Sequence, residues 1–112
     1  MMLTKITEKF GELVICEKRI STQEYCELVF LSKETEKWHS IFTETLGPAV
    51  KPPGKMPNRE HRLLTKDYGG IWFNQTLFKK DFEDAIIIAM FWPWRDNIHT
   101  TLKLIRVEKK AS

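Results

Sequence analysis

Two cysteines, three histidines and a scatter of carboxylates are the side chains in this 112-residue chain that could do covalent or metal chemistry. A thiolate attacks well only when a neighbouring base or cation lowers its pKa, so Cys16 with any of His39, His61 or His99 is formally a thiol–imidazole pair. Cys16 and Cys26 both stand in apolar strand-like runs, however, where a thiol behaves as a small hydrophobe. Metal binding needs three or four converging ligands. The histidines and Asp67, Asp81, Asp84 and Asp96 show no HxxxH, HxH or calcium-loop spacing, and the cysteines no C-x-x-C. Neither a GxGxxG nor a Walker-type loop is present; Gly69-Gly70 is a turn signal. No catalytic residue, metal or cofactor is assigned on this basis.

Recognition residues stand out more clearly. Phe91-Trp92-Pro93-Trp94-Arg95 places two large aromatics at a strand end, where one could stay exposed to stack a ring or anchor a partner protein. The alternative is that both indoles cap the core under a helix. The second feature is a basic stretch, 47–66, with Lys51, Lys55, Arg59, His61, Arg62 and Lys66. It could follow a phosphate backbone, cover a pocket or simply be solvated. Its own residues include no aromatic, and Tyr68, Trp72 and Phe73 come only after it. The candidate binding set is therefore Trp92, Trp94, Arg95, Lys51, Lys55, Arg59, Arg62, Tyr68 and Trp72.

A chain 42% hydrophobic and 29% charged, of this length, is expected to be one domain with one core and no need of a disulfide. The longest apolar run, Ala85 to Trp94, is 10 residues, against the roughly 20 a spanning helix requires. Together with the absence of a cleavable leader, this points to a cytoplasmic protein that does not enter membranes. Net charge is +3, concentrated in 47–66 and 95–112. That asymmetry permits an anionic partner without reaching the basicity of a dedicated nucleic-acid binder.

The elements that must position these residues follow from periodicity. Trp38, Ile41, Phe42, Thr45 and Leu46 form the stripe of an amphipathic helix over about 32–46, with Ser32 as its N-cap and Gly47-Pro48 as its stop. Upstream, Glu24 to Leu31 alternates as a strand, and Glu12 to Lys18 is read as its hairpin partner through Arg19 to Gln23. A short helix over 3–10 precedes them. One helix running through Gly11 is the competing reading, disfavoured by about 1 kcal/mol for an interior glycine. Four prolines and two glycines exclude any regular element from 47–60. Three strands follow, Ile71 to Lys79, Asp84 to Trp92 and Ile98 to Val107, joined by polar turns. The all-apolar Ala85 to Phe91 reads as the sheet's centre, and residues 109–112 as a frayed tail.

The expected fold is α+β, two-layer, in the order (α)ββα-loop-βββ, with the main helix packed on an antiparallel or mixed sheet. Trp38, Ile41, Phe42, Leu28, Phe30, Ile86, Ile88 and Met90 should meet in the core. Burial of Ile87 and Ala89 as well would require the other sheet face to be covered by the N-terminal helix or by another subunit, which makes a homodimer plausible. With no chemistry assigned, the expected function is a small binding or regulatory module acting through protein–protein contact or self-association. The alternatives are a single-stranded nucleic-acid binder using 47–66 with Trp92 and Trp94, and a small-molecule-binding domain or enzyme with a pocket between 47–66 and the sheet.

Overall fold

A computed structural model describes residues 2–11 and 13–109. Helix α1 (Leu3–Thr7) runs into a 3-10 turn, Glu8–Phe10, and is followed by β1 (Glu17–Ser21) and β2 (Tyr25–Leu31). Helix α2 (Thr35–Leu46), α3 (Arg59–Thr65), β3 (Thr76–Asp81), β4 (Ala85–Pro93) and β5 (His99–Glu108) complete the chain. The fold is α+β: the five strands form one sheet in the order β1-β2-β5-β4-β3, with every pairing antiparallel.

One face of the sheet carries the aromatic core. Helix α2 buries Trp38, Phe42 and Leu46, the spacing its stripe requires, against Phe30, Phe78 and Phe91 of the strands. Phe30 stacks on Trp38 with centroids 4.9 Å apart, and Phe10 meets the same indole edge-on at 4.8 Å. The N-terminal helix adds Leu3 and Ile6 to this same cluster. Burying each such side chain stabilises the fold by about 2 kcal/mol. Gly47, at φ 90°, ends α2 and donates its N–H to Thr43 O at 3.0 Å.

Several expectations need correction. The partner of β2 is Glu17–Ser21, and Leu13 to Cys16 lies outside any strand, with Val14 62% exposed; Glu12 lies outside the described residues. Backbone pairing decides here: β1 is an edge strand exposed at every position, so it carries no apolar alternation to read. Ser32 opens a 3-10 turn before α2, and its hydroxyl bonds Thr100 Oγ1 at 2.7 Å in place of capping the helix. The middle strand is β5, covered on both faces, with β4 beside it. Lys109, assigned to the fraying tail, donates its N–H to Asp84 O at 3.0 Å; residues 110–112 lie outside the described residues.

The faces of β4 are also reversed. Ile87, Ala89 and Phe91 point to α2, whereas Ile88 and Met90 join Leu77, Ile105 and Ile71 in a second cluster on the opposite face, with Ile86 packed at its margin. The N-terminal helix packs on the α2 side and does not cover that second face. Leu64 of α3, Tyr68 and Ile71 close it from within the chain.

Candidate binding surface

The cover over the second face starts at Asn58, which the proline-rich reading left inside a loop. Its carboxamide oxygen accepts from His61 N at 2.8 Å, and the His61 ring reaches back to Asn58 N at 3.4 Å, a reciprocal cap that starts α3 directly after Pro57. Arg59 and Glu60, assigned to the irregular loop, are helical. Lys79 of β3 then ties α3 to the sheet through Glu60 at 2.9 Å.

Helix α3 ends in a 3-10 turn, Lys66–Tyr68, and two glycines with positive φ. Gly69 is favoured for two reasons: its φ is 97°, and a Cβ there would stand 2.3 Å from Cη2 of Trp92. Trp92 is accordingly covered. Lys103 Nζ lies 3.5 Å from the indole centroid and donates to Tyr68 O at 3.0 Å, so the cation belongs to a closed stack. Burial pulls the Lys103 ammonium below its ordinary pKa.

Beyond Gly70 the expected strand does not begin. Ile71 is buried, and residues 72–75 form a turn in which Gln75 N donates to Trp72 O (3.1 Å) and Trp72 N to Gln75 Oε1 (2.9 Å). Gly54 N and Lys51 Nζ both donate to Phe73 O at 2.8 Å, and Lys51 Nζ also bonds Gln75 O. Lys51 is 1% exposed and pairs backbone-to-backbone with Leu77. It is thus an interior cation and not a solvated one, and burial lowers its pKa. Gln75 and Thr76 are buried with it, while Asn74 is exposed.

The braced turn holds Trp72 and Phe73 outward, 63% and 54% exposed. Met56 is 68% exposed. These three residues, with Pro57, Arg62, Lys66, Gly70 and Ile71, line a cleft of about 310 Å³. Arg62 and Lys66 are one helical turn apart and form no ion pair among the described residues. The cleft is thus an aromatic and aliphatic trough with free cations on one margin.

Of the residues chosen from the sequence, Arg62 and Trp72 meet in this cleft. Lys55 and Arg59 are exposed nearby in the chain, and Arg59 lines a separate hollow with Leu63, Leu64 and Ile86. Tyr68 packs inward against the second cluster, 6.4 Å from the Tyr25 ring. Trp94 and Arg95 lie at the β4–β5 turn. Trp94 donates its indole N–H to Thr101 Oγ1 at 2.7 Å, rests against His99 at 4.9 Å, and has Arg19 over its ring at 5.6 Å. Phe73, Met56 and Lys66 were not in that set; the cue for Phe73 was its place beside Trp72 just after the Gly69-Gly70 turn, in a run read as a strand start, and Met56 carried no such cue.

Among the described residues, no three of His, Cys, Asp and Glu group as a metal site would require, and no helix is long and apolar enough to cross a membrane. No protein-family model, curated protein or solved structure matches the chain.

Proposed function

We propose that this protein is a small non-enzymatic binding module that contacts a partner protein through the Met56–Trp72–Phe73 surface. The observation that carries this reading is the pinned turn: Trp72 and Phe73 are mostly exposed, yet their backbone is fastened by a buried lysine, a glutamine and Gly54 N. Exposed neighbouring aromatics oppose solubility, and a rigid support lowers the entropy lost when they are covered by a partner. Aromatic and arginine side chains also supply most hot-spot energy at protein interfaces. The free thiols of Cys16 and Cys26 are in keeping with a reducing compartment, and a cytoplasmic setting is part of the proposal.

The nucleic-acid alternative keeps Lys55, Arg59, Arg62 and Lys66 as exposed cations, but Lys51 is withdrawn into the interior and the Trp92 indole is occupied by Gly69 and Lys103. Quantitative affinity capture from extract of the source cells, comparing the full chain with a folded Trp72→Ser/Phe73→Ser variant, tests the proposal. Proteins retained by the wild type and lost by the variant are the expected result. Identical retention by both would overturn it.

A further inference from the structure

Resting on that reading, we infer that the cleft takes a short acidic segment of its partner, with one bulky apolar side chain seated in the trough and flanking carboxylates against Arg62 and Lys66. Chemistry and size support this together. Met56, Pro57, Trp72 and Phe73 are among the cleft's lining residues, and the space of about 310 Å³ lies at the small end of the range of ligand pockets. Arg62 and Lys66 lie on one margin and have no acidic partner among the described residues, whereas Lys79, on the other side of α3, is already held by Glu60 at 2.9 Å and Asp81 at 3.4 Å. Unspent positive charge therefore faces the apolar trough, and a ligand combining an apolar side chain with carboxylates complements both halves.

A nucleic-acid strand would be less well matched. Strand binders track successive phosphates along a cationic groove and stack bases on open aromatic faces. Here only two cations line the pocket, and Met56 and Pro57 share its walls with the aromatics, a composition suited to inserting one apolar side chain. Docking of this kind depends on an anchor in a pocket with charged residues at its rim.

A randomised short-peptide library displayed on phage, panned against the full chain, tests the inference. The expected enrichment is a Leu, Met, Phe or Trp with neighbouring Asp or Glu. The enriched peptides, resynthesised, should bind about tenfold more weakly to Trp72→Ser/Phe73→Ser. Panning against Arg62→Glu/Lys66→Glu should replace the acidic residues with Lys and Arg, a result that a merely unfolded variant cannot give. Circular dichroism melts establish that each variant is folded.

Enriched peptides without acidic residues, no enrichment, or binding indifferent to both variants would overturn the inference. So would displacement of the peptides by a single-stranded oligonucleotide at lower concentration than by an acidic peptide. Such failures leave the binding-module reading standing if extract capture still depends on Trp72 and Phe73. Loss of that dependence, with acidic peptides still bound, removes the proposed protein partner and keeps the chemistry of the cleft.

Discussion

Lys51 Nζ donates to the carbonyl oxygen of Phe73, 22 residues away and 2.8 Å distant, and so fastens the exposed aromatic turn to the edge of the sheet. Removing the ammonium leaves Gln75 O without that donor, a stranded buried carbonyl that costs about 1–3 kcal/mol. Relief from burying a charge offsets part of this. Lys51→Met, which keeps the apolar stem, should therefore lose about 1–2 kcal/mol in urea unfolding. Amide exchange at 72–75 should quicken more than in β4, and peptide binding should weaken. Unchanged exchange at 72–75 would show that the turn holds its shape without the lysine.

Gly69 and Gly70 offer a matched pair. Both have positive φ, 97° and 80°, but a Cβ at Gly69 meets Trp92 at 2.3 Å whereas Gly70 has nothing within 4 Å. Gly70→Ala should cost about 1–2 kcal/mol for the left-handed backbone alone. Gly69→Ala adds overpacking and should cost about 2–4 kcal/mol in all. Equal costs would mean that the indole moves aside freely and that the Lys103 stack does not hold it.

The main helix was legible because its apolar residues recur with one period on one face, and the sequence supplied a glycine and proline to end it. An unbroken apolar strand has no phase. In Ala85 to Phe91 either alternate set could have faced α2, and only the packed sheet decides that Ile87, Ala89 and Phe91 do. Helix α3 escaped notice because it is seven residues long, follows a proline-rich stretch, and carries Leu63 and Leu64 side by side with no stripe. The site shared that fate. Trp72 and Arg62 could be singled out individually, but their meeting depends on α3, tied to β3 through Glu60 and Lys79, and on a turn where a strand was expected, held by the nonlocal bonds of Lys51.

The tryptophans separate by environment. Trp38 is fully buried, Trp92 and Trp94 are partly covered, and Trp72 is 63% exposed. Acrylamide should therefore quench mainly a red-shifted component of the emission, and Trp72→Phe should remove that component while leaving the melting temperature nearly unchanged, as surface substitutions do. Peptide binding should shift the same component to the blue. A quenching profile unaltered by Trp72→Phe would place the accessible indole elsewhere, with Trp94 the next to substitute.

Asp96 links the β4–β5 turn to pH. Its carboxylate is hydrogen-bonded by the His99 ring at 2.6 Å and by the backbone N–H groups of Ile98 and His99 at 2.8 and 3.0 Å. These bonds, the His99 contact foremost, hold its pKa at about 2, below the ordinary 3.8. A depressed carboxylate binds fewer protons folded than unfolded, so its stabilisation is present above pH 4 and is lost as the pH falls toward 2. Asp96→Asn keeps an acceptor for the backbone but removes the charge. The gap in melting temperature between wild type and Asp96→Asn should accordingly be widest above pH 4 and close by pH 2. The carboxylate is solvent-exposed, so added salt should narrow the gap too. A gap that stays constant from pH 5 to 2 would assign the turn's stability to its backbone bonds alone, and the charge on Asp96 would then contribute nothing measurable.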